Sequence, residues 1–165
     1  MNIKRVFGLK PIVSDDSEIL VLGTFPSEES RKISQYYASS KNHFWQIVNR
    51  QFNGNKGFCS YNEKIAILRR NHIALWDVVE SKQFTGESSV EGILLPEYND
   101  LRTFLNTHSQ IKKIVFNGKT SEHFSSAQII YQISKDMCVA CTCTGGRVSV
   151  SFQDLFDEWS RALIL

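Results

Sequence analysis

The residues with most chemical potential lie in one stretch, Ile19 to Trp45, which reads ILVLGTFPSEESRKISQYYASSKNHFW. Tyr36 and Tyr37 are adjacent, and Lys41, Asn42, Phe44 and Trp45 follow shortly after. Flat apolar rings beside a carboxamide suit a pocket for a planar polar ring, and a nucleobase is such a ring. Each residue also has a plainer use. Asn42 could cap a helix, and the tyrosines could be core or rim aromatics. Gly23-Thr24-Phe25-Pro26-Ser27 could be a simple turn from strand to helix. That turn lacks the glycine spacing of a Walker loop or a dinucleotide fingerprint, which counts against triphosphate and nicotinamide chemistry. Asn117-Gly118 is a second polar turn, or only a turn that needs left-handed geometry.

The cysteines tempt towards a metal. Cys138, Cys141 and Cys143 follow a C-x-x-C-x-C spacing, with Cys59 far away and no second C-x-x-C. A reduced, buried strand of small residues is the favoured reading over zinc or iron–sulfur. On that strand Cys141 and Cys143 would share one face and Cys138 the other.

The elements that must position these residues follow from periodicity. Ile19 to Leu22 are consecutive aliphatics, the mark of a strand buried on both faces. Ile73 to Val79, Ile111 to Phe116 and Met137 to Thr144 read as three more strands. Helices are expected from near Asn42 to Phe52, from Ser60 (with Glu63 completing a capping box) to about Arg70, from Tyr98 to His108 and from Ser121 to Ser134. A final helix starts at the cap Ser151, and Ser27-Glu28-Glu29 could open a helical turn. Residues 1–17 read as an irregular or hairpin-like lead-in, and Glu80 to Glu97 as one long loop with room for a helical turn, of which Lys82 to Leu95 could face DNA. Strands alternating with helices argue for a mostly parallel sheet covered on both sides. Its carboxyl edge gathers four turns: GTFPS, WDVVES, FNGKT and CTCTGGR.

Composition limits the rest. A chain of 165 residues with 42% hydrophobic residues suits one globular domain, residues 1–165. A net charge of +2 neither demands nor excludes nucleic acid. No apolar run approaches a membrane span, and MNIKRVFGLKPIV lacks the apolar core of a secretory signal. A cytoplasmic monomer is expected.

Several of these residues, taken in order, resemble the uracil-DNA glycosylase superfamily, and most closely its hypoxanthine-DNA glycosylase branch. The matching residues are Gly23-Thr24-Phe25-Pro26-Ser27, Ser30, Tyr36-Tyr37-Ala38, Asn42-His43-Phe44-Trp45, Leu75-Trp76-Asp77-Val78, Ser89, Ile93, Asn99-Asp100-Leu101, Asn117-Gly118 and Ser151 to Trp159. The resemblance implies a three-layer α/β/α sandwich around a central, mostly parallel four-stranded sheet. It implies hydrolysis of the N-glycosidic bond of a flipped deaminated base in DNA, chiefly hypoxanthine, with uracil second. Asn42 matches the branch's catalytic asparagine. Asn117 matches the asparagine that reads the polar edge of the base, and Gly23, Thr24 and Phe25 line the same subsite. Tyr37, ahead of Tyr36 or Phe25, would be the stacking face. Phe25 stands where classical uracil enzymes place an aspartate, which shifts the catalytic weight to Asn42. Pro26 and Ser27 would touch the DNA backbone. After its fourth strand the branch carries a serine-rich loop. This chain has Thr142 to Ser149 there, where Gly145 and Gly146 allow close approach and Arg147 and Ser149 could bind phosphate. Arg31, Lys32, Lys41 and Lys119 could extend that rim. No metal or cofactor is implied. A catalytically weak DNA binder of the same fold and a nucleoside hydrolase are the alternative readings.

Overall fold

Strands with no polar face need cover on both sides, and that requirement sets the architecture. The computed structural model describes residues 3–85, 94–126, 135–146 and 149–165. In chain order its elements are β1 (Ile3–Phe7), β2 (Ile19–Gly23), α1 (Glu28–Ile33), α2 (Phe44–Phe52), α3 (Tyr61–Arg70), β3 (Ile73–Asp77), β4 (Val79–Thr85), β5 (Leu94–Tyr98), α4 (Leu101–Thr107), β6 (Lys113–Asn117), α5 (Lys119–Ser126), β7 (Cys138–Cys141) and α6 (Phe152–Ala162).

The central sheet has the order β3-β2-β6-β7, and every pairing in it is parallel. Residues alternate between its faces. Ile19, Val21, Ile73, Leu75 and Val115 pack with Phe44, Trp45, Ile47 and Val48 of α2, Ile67 and Leu68 of α3, and Leu155 and Trp159 of α6. Leu20, Leu22, Ala74, Ile114 and Phe116 pack on the other side with Leu101, Phe104 and Leu105 of α4. The sheet is therefore the middle layer of an α/β/α sandwich. Ser60 caps α3, and Glu63 returns to the Cys59 N–H at 2.7 Å. The Ser27 hydroxyl accepts from Ser30 N–H and starts α1, a helix of 6 residues. Each such cap is worth about 1 kcal/mol.

Three expectations need correction. The lead-in and the stretch from Glu80 to Glu97 are not a plain lead-in and a loop. β1, β4 and β5 form a second, antiparallel sheet in the order β1-β4-β5. Its strands are short and polar, β5 carries Pro96 at an edge, and β4 bulges twice against β5. Those features hide a period-2 signal. Arg5 of β1 holds the sheet together by donating to Ser81 at 2.8 Å and pairing with Glu97 at 3.2 Å. Residues 86–93 lie outside the described residues, as do 127–134 of the expected fourth helix. Second, the helix after β5 begins at Leu101, not Tyr98, because Tyr98 still pairs with Val79 and Asp100 supplies the cap. Third, β7 ends at Cys141. It is an edge strand on which Cys138 is half-buried, Val139 is 37% exposed and Cys143 lies beyond the strand, exposed. Only Cys141 is fully buried there, and burial pushes its thiol up to about 12. Among the described residues no helix is long and apolar enough to cross a membrane.

Candidate active site

Parallel strands end together, so the sheet register decides what meets at the carboxyl edge. Gly23 pairs with Asp77 on β3, and Asn117 pairs with Cys141 on β7. The Leu22–Phe116 pair sets β2 against β6, so Gly23 and Asn117 share the next row. Asp77, Gly23 and Asn117 thus form one line across three strands, on the face that carries α2. Neighbouring strands lie about 4.8 Å apart, so two polar side chains flank a bare glycine across a gap of roughly 10 Å. Gly23 has a reason to be glycine: a Cβ there would sit 2.3 Å from Asp77 Oδ1 and 3.5 Å from the Tyr37 hydroxyl.

A cavity of about 740 Å³ opens above this row, a size in the usual range for small-ligand sites. Tyr36, Asp77 and Asn117 form its buried floor, and Lys41, Gly146 and the exposed residues of the β2–α1 turn form its rim. Gly23, Thr24, Phe25, Pro26, Ser27, Tyr37, Asn42, Asn117, Gly145 and Gly146 all line it. One of the residues expected at the site is not brought in: Ser149 is exposed and lies outside the lining. The expected Arg147 lies outside the described residues. Of the expected cationic rim, Lys32 pairs with Glu28 at 2.7 Å and Arg31 sits 5.6 Å over the Phe25 ring. Lys119 is exposed at the start of α5 and is not part of the lining.

Asn42 lines the cavity but is not the N-cap of α2, a position held by His43, one residue on. The Asn42 side-chain carbonyl accepts the Phe44 N–H at 2.9 Å, at the mouth of α2. The helix end therefore fixes the orientation of the carboxamide. The adjacent tyrosines divide their labour. Tyr36 is an anchor: its hydroxyl donates to the Lys10 carbonyl at 3.0 Å, its N–H donates to Tyr61, and its carbonyl accepts from Trp45 Nε1 at 2.8 Å. Tyr37 is turned the other way by a left-handed backbone, φ 53°, a conformation that a bulky residue adopts only when its surroundings enforce it. Its ring lies against Phe44 with centroids 4.4 Å apart and is partly open to the cavity. Its hydroxyl is sealed from solvent and has no well-formed hydrogen bond, although the Asn117 amide lies near it. Burial, reinforced by Asp77, holds that phenol well above its usual range.

Asn117 is 7% exposed and makes a reciprocal pair of bonds with Thr144. It donates to Thr144 Oγ1 at 2.8 Å and accepts the Thr144 N–H at 2.9 Å. The Thr144 carbonyl in turn accepts the His43 N–H at 2.9 Å. Thr144 is fully buried and ties the two carboxamide-bearing segments to each other. Sequence reasoning gave it no part; a threonine in a Gly-containing loop carries no signal of its own. α6 holds the same loop, since Trp159 Nε1 donates to the Thr142 carbonyl at 2.9 Å and Glu158 accepts the Thr142 N–H at 3.0 Å. Gly118 then turns the chain at φ 97°.

Asp77 is the second residue that sequence reasoning left without a role. It is 3% exposed, and its Oδ2 has no hydrogen-bond partner. Burial alone pushes its carboxyl up to about 7. A buried, unpaired acid in a cleft is a recognised mark of a working site.

No protein-family model matches the chain. A hypoxanthine DNA glycosylase of Methanosarcina acetivorans is 32% identical over 122 residues, which is 74% of this chain and 75% of its relative. A hypoxanthine DNA glycosylase of Methanosarcina barkeri is 29% identical over 117 residues, 71% of this chain and 73% of the other. The solution NMR structure of a candidate uracil DNA glycosylase from Methanosarcina acetivorans superposes with a TM-score of 0.81 at 26% identity, covering 97% of both chains. Shared sequence over three quarters of the length and a shared fold from end to end lead to one conclusion: this chain belongs to the hypoxanthine DNA glycosylase branch of the uracil-DNA glycosylase superfamily.

Proposed function

We propose that the protein, folding as one domain over residues 1–165, hydrolyses the N-glycosidic bond of a deaminated base flipped out of DNA. Hypoxanthine is the first substrate and uracil the second. The observation that carries this reading is the single cavity onto which Asn42, Tyr37 and Asn117 converge. A base inside a duplex is out of reach, so it must be extruded and held by stacking and edge contacts. Tyr37 is the stacking face, because its ring is partly open to the cavity while Tyr36 is consumed by the core. Asn42 orients the attacking water. One lone pair of its carbonyl is held by the Phe44 N–H, and the second is left for a water proton. An amide fixed in this way needs no reorganisation as charge develops on the sugar. Asn117 presents its remaining N–H and lone pair to the base, with Thr144 fixing its plane. Gly23, Thr24 and Phe25 form the floor and wall of the same subsite.

Lys41, Pro26, Ser27, Gly145 and Gly146 form the rim that meets the DNA backbone. Among the described residues Lys41 is the one lysine in the lining, and it sits exposed on the rim. We therefore assign it to phosphate, with water as the nucleophile and an abasic site as the product, in a monomer.

The test is excision from duplexes carrying deoxyinosine or deoxyuridine, by wild type, Asn42→Ala and Asn42→Ser. Ala removes both the amide and its bond from the Phe44 N–H, and should cost about 1 kcal/mol of stability as well as cleavage. Ser keeps an oxygen that can accept the Phe44 N–H, so it should lose cleavage at near-normal stability. Wild-type rates in either variant remove Asn42 from the chemistry. Duplex binding by wild type without an abasic product would favour a catalytically silent binder. Cleavage of free inosine faster than deoxyinosine in DNA would favour a nucleoside hydrolase.

A further inference from the structure

The glycosylase reading leaves one problem open. A purine leaves poorly as an anion, and neither a carboxamide nor a phenyl ring can give it a proton. Two buried polar groups at the cavity floor are also left over. Asp77 Oδ2 is sealed from solvent without a hydrogen-bond partner, and the Tyr37 hydroxyl is sealed with no well-formed bond, only the Asn117 amide near it. They converge on one place, for a side chain on Gly23 would strike Asp77 Oδ1 and touch the Tyr37 hydroxyl. Buried polar groups in native proteins are almost always paired, so two orphans side by side in a cavity await a partner from the ligand.

We propose that Asp77 is the general acid of this cavity, donating its carboxyl proton to a ring nitrogen of the flipped purine as the glycosidic bond breaks. The inference rests on the glycosylase reading above. Asp77 stands in one row with Asn117, across the bare Gly23, so its carboxyl leans over the floor on which the base would lie. No cation among the described residues offsets its burial. A carboxyl in that position keeps its proton near neutral pH and supplies a donor where an ionised one could only accept. The other titratable groups lining the cavity are Tyr36 and Tyr37 on the floor, Glu28 and Glu29 on α1, Lys41 on the rim and Cys143 on the loop after β7. Both phenols are held neutral by burial.

The step balances. The Asp77 O–H proton passes to N3 or N7 of the purine. The C1′–N9 electron pair flows into the ring, and the base departs neutral. Water placed by Asn42 adds to C1′ and loses its proton to solvent. Asp77, now ionised, regains a proton from solvent before the next turnover.

The test compares leaving groups. Single-turnover excision is measured with wild type and Asp77→Asn, from about pH 5.5 to about 8.5, on duplexes carrying deoxyinosine or 5-fluorodeoxyuridine. The amide keeps shape and a hydrogen-bond donor but cannot release a proton. The fluorinated base leaves readily as an anion and needs none. On deoxyinosine the variant should lose at least about 100-fold, the usual scale of general acid catalysis. The wild-type rate on deoxyinosine should fall as pH rises above about 7, and the variant's should not. On 5-fluorodeoxyuridine the loss should stay below about tenfold. Equal losses on both bases with an unchanged pH profile would reduce Asp77 to a structural or base-binding residue. Wild-type rates on deoxyinosine in the variant would overturn the proposal outright. If wild type cleaves neither duplex, the glycosylase reading falls and this one with it.

Discussion

Burying Asp77 has a thermodynamic signature that can be measured without any substrate. Its carboxyl moves from an ordinary 3.8 to about 7 on folding, and burial is the cause. The folded state therefore holds the proton more tightly than the unfolded chain does. Stability is undiminished below about pH 4, falls as pH rises through the window between 3.8 and about 7, and stays low above it. A shift of about three units at about 1.4 kcal/mol each amounts to about 4 kcal/mol. That is an upper bound, because relaxation of the site and entering water both reduce it. The Asp77→Asn variant carries no such penalty. At about pH 8 it should be more stable than wild type by about 2–4 kcal/mol, or roughly 10 °C in Tm for a chain of this size. At about pH 4 the two should converge. Two other carboxyls are shifted the opposite way: Lys32 lowers Glu28 and the Thr103 N–H lowers Asp100. Both are shared by the two proteins and cancel in the difference. Urea or thermal melts at several pH values measure the gap directly. A gap that stays constant from about pH 4 to about pH 8 would show that the carboxyl is not held in a desolvated site, and the acid role would lose its physical basis. A growing gap would mean that the fold gives up stability at physiological pH to keep an unpaired acid in its cavity.

Two further predictions concern the loop after β7. Thr144→Val keeps the size of the side chain but removes the oxygen that accepts from Asn117; it should cost about 1–3 kcal/mol in denaturant melts and slow excision, with a stability equal to wild type showing that the tie is not needed. At Gly146 a Cβ would lie 2.7 Å from Lys41 Cβ and 2.8 Å from the Lys41 carbonyl, so Gly146→Ala must push the loop off the Asn42 segment. It should weaken duplex binding in a fluorescence titration, and unchanged affinity would detach this loop from the DNA rim.

Much of the fold was legible from local pattern. Ile19 to Leu22 have only aliphatic side chains, so they had to be a doubly covered strand. Ser60 with Glu63, and Ser151 ahead of an apolar stripe, mark helix starts by hydrogen bonds made within a few residues. The β1-β4-β5 sheet was not legible. Its β1–β4 pairings join residues 74 to 82 positions apart, from Phe7 with Ser81 to Ile3 with Thr85, and its polar, bulged strands carry no clean alternation.

The site divides in the same way. Residue types and spacing alone brought Tyr36-Tyr37 and Asn42 forward as a ring-binding group, and a turn at a strand's carboxyl end brought forward Asn117. What they do to one another was decided in three dimensions. A left-handed backbone at Tyr37 sends one phenol to the cavity and leaves its neighbour in the core. Thr144 holds Asn117 and the Asn42 segment together through bonds that no local spacing encodes. Asp77 looks like any polar residue ending a strand until the register sets it opposite Gly23 and the fold closes over it. Sequence fixes which groups are available and which local hydrogen bonds they can make. Burial, register and the loss of a partner arise only when distant segments exclude water together.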